Sequence, residues 1–160
     1  MAIATLGAGC FWGVEYFLRQ IPGITTVRCG YMGGTLDNPS YPQVKQGDTG
    51  HAEVVQVEYD EAYVSFDAIL DLFWQHHNPT TRDQQGDDLG SQYRSVVFYH
   101  DESQQQQALA SKARQQEEGY WQGKTIVTEI VPAQIFWPAE EYHQDYLAKN
   151  ELPSCHLPFY

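Results

Sequence analysis

The sequence predicts an α+β domain, a mixed β-sheet with helices packed on it. Three observations carry that prediction. The segments run strand, helix, strand, strand, helix, strand, helix, strand and a last short helix, so two strands follow one another with no helix between them. No internal repeat is visible. The chain has 160 residues and is 42% hydrophobic, which suffices for one core without metal or disulfide staples, so residues 1–160 are read as a single domain.

Ala2 to Leu6 is short, apolar and suited to a strand, and Gly7, Ala8 and Gly9 follow as a permissive turn. From Phe11 to Arg19 the spacing becomes helical. Phe11, Val14 and Leu18 share one face with Glu15, and Pro22-Gly23 is the stop. Cys10 therefore sits between a strand and a helix, close to the helix N-terminus. Ile24 to Val27 begins a strand that runs into Cys29-Gly30-Tyr31-Met32-Gly33-Gly34. Gly30 to Gly50 is rich in Gly, Pro, Asn, Asp and Ser and reads as a long functional loop.

His51 to Asp60 alternates, with Glu53, Val55, Val57 and Tyr59 on one face and Ala52, Val54, Gln56 and Glu58 on the other, which is the pattern of a strand. Phe66, Ile69, Leu70, Phe73, Trp74 and His77 form one helical stripe that ends at Pro79. Thr80 to Gly90 is polar and turn-like, and Gln92 to His100 is a strand. Glu102 to Glu118 is a polar helix expected to turn Ala108, Leu109 and Ala113 toward the core. Thr125 to Ile135 is a further strand and Glu140 to Lys149 a short helix. Residues 150–160 are expected to be a mobile, irregular tail with two prolines.

A net charge of −12 makes nucleic acid and anionic membrane surfaces poor partners, and no apolar run is long enough to span a bilayer. The N-terminus has neither a basic region before an apolar core nor a cleavage pattern after one, so a cytoplasmic address is expected. Nothing suggests a self-complementary stripe, and a monomer is expected. The eleven tyrosines and four tryptophans belong in a core or along pocket walls, which favour aromatic rings. The three cysteines, Cys10, Cys29 and Cys155, are odd in number and widely spaced. That spacing argues against a disulfide framework and a structural zinc site, and fits a catalytic thiol with a distant partner.

Gly9-Cys10-Phe11-Trp12-Gly13 is the most informative pentapeptide. A cysteine at a helix N-terminus faces unpaired backbone N–H groups and the positive end of the dipole, both of which favour the nucleophilic thiolate. Phe11 and Trp12 either enter the core or wall a pocket beside the sulfur. On position alone, Cys10 is either this nucleophile or an inert cysteine packed by two aromatics. Glu53 shares a strand face with an apolar row. Its carboxyl either escapes to water at the strand's start or is desolvated and holds a proton near neutral pH, as a general acid must. Tyr41, Asp88 and Tyr93 are candidate hydrogen-bonding groups on or beside loops. Together with the cysteine and the glutamate they could bind a polar, oxidised group.

Five segments in order carry a resemblance: Gly9 to Gly13, Gly30 to Gly34, His51 to Val55, Asp88-Leu89-Gly90-Ser91-Gln92-Tyr93-Arg94-Ser95, and Ala139-Glu140-Glu141-Tyr142-His143-Gln144-Asp145-Tyr146. Together, from Leu6 to Tyr146, they resemble the methionine sulfoxide reductase A family. The resemblance implies a two-layer sandwich of the ferredoxin-like plait and reduction of methionine-S-sulfoxide, free or in proteins. It implies that Cys10 attacks the sulfoxide sulfur, Glu53 protonates the oxygen, and Tyr41 and Tyr93 hydrogen-bond that oxygen. Phe11 and Trp12 would hold the S-methyl group, and Asp88 would join the network through water or Tyr93. The resulting sulfenic acid on Cys10 would be resolved by Cys155 in the tail, since sulfenic acids condense with thiols. Thioredoxin is then the external reductant, with no bound cofactor and no metal. Cys29 stands where the family often has serine and is read as structural. Asp87 stands where asparagine is usual, adding a negative charge beside Asp88. His143 and Tyr142 are expected to support by packing and hydrogen bonding.

Two other classes compete. A cysteine hydrolase needs a histidine base, yet His51, His76, His77, His100, His143 and His156 lie in no recognisable protease context, and hydrolysis leaves Cys155 without a task. A metal-binding module fares no better, because His76 and His77 are successive on a helix and diverge. A peroxide-reducing thiol enzyme is chemically closer but has no need of an aromatic methyl pocket.

Overall fold

The computed structural model describes residues 1–150. In chain order the elements are β1 (Ala2–Ala8), α1 (Phe11–Arg19), β2 (Ile24–Met32), α2 (Tyr41–Lys45), β3 (Ala52–Tyr59), α3 (Phe66–Gln75), β4 (Gln84–Gln85), β5 (Asp88–Leu89), β6 (Ser95–Tyr99), α4 (Glu102–Glu118), β7 (Glu129–Pro132), β8 (Trp137–Pro138) and α5 (Tyr146–Lys149). Short 3₁₀ turns occupy Ser91–Tyr93 and Glu141–His143. The main sheet has the order β7-β6-β1-β3-β2-β8, and β4 pairs only with β5. Within it β6 and β7 are parallel and the other neighbours antiparallel. The central β1-α1-β2-β3-α3-β6 run, with strands in the order β6-β1-β3-β2, is the two-layer plait expected above.

Period-two patterning positions the core. Ala4, Leu6 and Ala8 of β1, Val55 and Val57 of β3 and Val97 of β6 pack against Phe11, Leu18, Leu70, Phe73 and Trp74 of the helices. The opposite face is covered too: Met32, Ala52, Val54, Val96 and Phe98 meet Val131, Ala133 and Phe136. Gly30 permits that covering, because a Cβ there would lie 2.4 Å from the Phe136 ring. At full burial such apolar side chains contribute about 1.5–3 kcal/mol each.

Several short segments differ from the sequence expectation. The Gly30 to Gly50 stretch is not all loop: its first residues finish β2, as the strand expected from Ile24 onward implies, and Ser40 with Gln43 builds a capping box that starts α2. Thr80 to Gly90 contains the small β4–β5 hairpin. The Thr125 to Ile135 strand shrinks to β7, because the Ile126 N–H goes to the Gln116 side chain and the Val127 N–H to the Pro79 carbonyl instead of a ladder. Helix α4 buries Gln104, Ala108 and Ser111, whereas Leu109 is 51% exposed and Ala113 also faces solvent. Ser111 is drawn inward because its hydroxyl accepts the Trp74 indole N–H at 2.8 Å. Glu140 to Lys149 splits into a 3₁₀ turn and α5 at Asp145, whose φ of 56° breaks the helix. Cys155 and the expected tail from Glu151 onward lie outside the described residues.

Candidate active site

Cys10 and Glu53 are brought together by the β1–β3 register and the turn after β1. Leu6 pairs with Val55, so the antiparallel ladder carries Glu53 to the level of the turn that precedes α1. Gly9, with φ 95°, makes that turn, and Cys10 follows as the half-buried N-cap of α1. The Cys10 carbonyl accepts the Gly13 and Val14 N–H groups at 3.2 and 3.4 Å. The Phe11 N–H, unclaimed within the helix, donates to Glu53 Oε1 at 3.2 Å. A carboxyl thus sits one residue from the thiol, on the first amide of the helix.

Glu53 is 1% exposed, and its Oε2 has no hydrogen-bond partner among the described residues. Burial pushes its carboxyl up to about 8; the Phe11 N–H and Lys45 work against that shift, and the Asp88 charge adds to it. The group therefore holds its proton at neutral pH. Of the two alternatives left open by the sequence, the desolvated acid is the one the fold builds.

Tyr41 and Tyr93 reach the same place from different elements. Tyr41 is the first residue of α2, its N–H donates to Glu140 Oε2 at 3.1 Å, and its ring lies 6.2 Å from Phe11 at 20°. Tyr93 ends the 3₁₀ turn and is 8% exposed. Burial raises both phenols, Tyr93 to about 12, and each also feels the charges of Glu53 and Cys10. Both therefore remain hydroxyl donors at neutral pH. Asp88 lies exposed on β5, near enough for its charge to act on Glu53 and Tyr93, which makes it a rim residue.

Phe11 and Trp12 divide their expected role. Phe11 is fully buried among Tyr31, Tyr41 and His143, so it backs the site. Trp12, next to Cys10 in the chain, is only half-buried. Its indole N–H donates to His143 Nδ1 at 3.0 Å, and its ring stacks on Tyr146 at 3.9 Å. His143 is wholly buried, and burial lowers its pKa while Glu140 opposes that shift. With Nδ1 accepting, the ring is the Nε2–H tautomer, whose Nε2 has no partner among the described residues.

The sequence reading assigned no part to Glu140, Gln144 or Tyr146. Glu140 accepts from the Tyr31 hydroxyl at 3.0 Å and from the Tyr41 N–H. Although burial works against it, those hydrogen bonds hold the Glu140 carboxyl below its usual value. Gln144 accepts the Cys29 N–H at 2.9 Å and donates to the Cys29 carbonyl at 3.1 Å, standing in for a strand at the edge of β2. The only sequence signal for them was their place in the last of the five segments. Cys29 is fully buried, with its thiol 3.7 Å from the Phe11 carbonyl and its pKa raised by burial and Glu15. Among the described residues no group of three or more His, Cys, Asp or Glu could hold a metal ion. No helix there is long and apolar enough to cross a membrane.

A thiol at a helix N-terminus, an adjacent neutral acid and two phenol donors can attack an electrophilic heteroatom while protonating a poor leaving oxygen. Comparison with known proteins points the same way. A protein of Methanoculleus marisnigri named peptide methionine sulfoxide reductase MsrA is 54% identical over 152 residues, 95% of this chain and 92% of that protein. The reduced form of Mxr1 from Saccharomyces cerevisiae superposes with a TM-score of 0.89 at 36% identity, covering 97% of this chain and 88% of that one. Mxr1 in complex with Trx2 matches with a TM-score of 0.64 at 24% identity, covering 99% and 88%. The family model described as peptide methionine sulfoxide reductase matches residues 2–160, and the chain belongs to that family.

Proposed function

We propose that the protein reduces methionine-S-sulfoxide, free or in proteins, to methionine, with Cys10 as nucleophile and Glu53 as acid. The Cys10 thiolate attacks the sulfoxide sulfur while Glu53 delivers its proton to the oxygen. Tyr41 and Tyr93 donate hydrogen bonds to that oxygen as its S–O bond weakens, and Asp88 acts on the network through water or Tyr93. Trp12, backed by Phe11, receives the S-methyl group. The S–S bond made in that attack and the methionine S–O bond then break as the hydroxyl passes to the Cys10 sulfur, so methionine leaves with the thiol's electron pair and Cys10–S–OH remains. Condensation with the Cys155 thiol expels water and forms a disulfide, which thioredoxin reduces. Mxr1's complex with Trx2 is in keeping with such a reductant. The enzyme binds no cofactor, works as a monomer in the cytoplasm and repairs oxidative damage.

The observation that carries this reading is the Glu53 carboxyl, buried on the first amide of α1 next to Cys10 in the chain, with one oxygen that has no partner among the described residues. Mass spectrometry after one equivalent of S-sulfoxide without reductant tests it. One methionine per enzyme and a Cys10–Cys155 bridge are expected, with neither in Cys10→Ser. Methionine formed by Cys10→Ser would refute the nucleophile, and a different bridge would refute the resolving role.

A further inference from the structure

Behind the catalytic end of α1 lies a second buried carboxyl that the proposed chemistry does not use. Glu15, one turn and a half along the helix from Cys10, is 1% exposed. Its carboxyl pairs with Arg19 at 3.2 Å, and the Asp145 backbone N–H works with Arg19 against the rise in its pKa that burial causes. Arg19 reaches further: its guanidinium lies 3.4 Å from Asp145 Oδ1 and donates to the Val27 carbonyl at 3.3 Å. Among the described residues Asp145 is one of three non-glycine residues with positive φ, and α5 begins directly after it. Tyr146 then stacks on Trp12 at 3.9 Å. The chain is thus tied to α1 just before it leaves toward Cys155.

The length of the remaining chain gives that tie a purpose. Asn150, the C-cap of α5, and Cys155 are five positions apart. Fully extended, five residues span roughly 17 Å, so the end of α5 must stay close to Cys10 for the two sulfurs to meet. A short tether makes the effective concentration of its end steeply dependent on where its root is held. We propose that Glu15 and Arg19 are positioning residues for disulfide formation, anchoring the Asp145 turn to α1 so that Cys155 stays within reach of Cys10.

The inference rests on the resolving role proposed for Cys155. The step itself breaks the S–O bond of Cys10–S–OH as the Cys155 sulfur bonds to Cys10, with hydroxyl and thiol proton leaving as water. Neither Glu15 nor Arg19 enters the preceding attack on the sulfoxide, so methionine release and disulfide formation separate their effects.

The test is a single turnover with one equivalent of S-sulfoxide and no reductant, quenched at intervals. Released methionine, sulfenic acid trapped by dimedone and the Cys10–Cys155 bridge are each quantified. In Glu15→Gln, methionine release keeps its wild-type rate while the bridge forms about tenfold more slowly and trapped sulfenic acid rises accordingly. Arg19→Gln, at a side chain 37% exposed, gives the same split with little risk to folding. Wild-type bridge formation in both variants overturns the anchor, and so does an equal slowing of both steps. If the wild-type enzyme forms no Cys10–Cys155 bridge, the resolving assignment itself fails and this inference falls with it.

Discussion

Helix α1 meets two buried glutamates, Glu53 of β3 on its first amide and Glu15 at its own middle, and the contrast between them shows what turns a carboxyl into an acid catalyst. Glu53 at the N-terminal end and Glu15 further along are both 1% exposed, and burial is the largest cause of the raised pKa in each. Their partners differ. Glu15 is paired with the Arg19 cation, which also reaches Asp145, and that pair fixes it as a structural tie. Glu53 has one amide, and its second oxygen has no partner among the described residues. Burial holds a proton on a carboxyl; only an unclaimed oxygen leaves that proton available to a ligand.

Glu53→Gln probes the contrast most severely. Removing a general acid of this kind costs about 10²- to 10⁴-fold in the rate of methionine release, measured in a single turnover. Near-wild-type release would put Glu53 in the same structural class as Glu15. A smaller effect is expected at the hydroxyls that face the same oxygen. Tyr93→Phe leaves the ring packed and deletes one donor worth about 1–1.5 kcal/mol, so kcat falls roughly tenfold with the Tm little changed. An unchanged kcat would mean that Tyr93 only walls the site.

Much of this was legible in the chain. The bounds of α1 follow from its spacing and its Pro22-Gly23 stop, and α4 has the expected bounds. The apolar row that Glu53 shares with Val55 and Val57 leaves its carboxyl open between water and burial, and the role of acid comes from the family resemblance. Glu15 was visible as a carboxyl on the apolar stripe of α1, although its partner Asp145 is 130 positions away and has no local signal. Short elements were not legible: α2, the β4–β5 hairpin and β8 have too few residues for a period to show. Leu109 is exposed because hydrophobicity alone does not choose the buried face of α4. The buried face of α4 is set by hydrogen bonds, with Gln104 donating to the Ile3 carbonyl at 2.7 Å and Ser111 meeting Trp74. The stitching of Glu140 to Tyr31 and Tyr41 depends on pairing across the fold, which no local pattern reveals.

The pH dependence of methionine release in a single turnover tests the protonated carboxyl most directly. An acid catalyst acts while it holds its proton. Raising Glu53 from 4.5 to about 8 therefore keeps it active through neutral pH and inactivates it above. The rate is expected to fall with increasing pH above about 8, approaching tenfold per pH unit, while Glu53→Gln is slow and lacks that descent. A wild-type rate that stays level through pH 9, or the same descent retained in Glu53→Gln, would contradict the account.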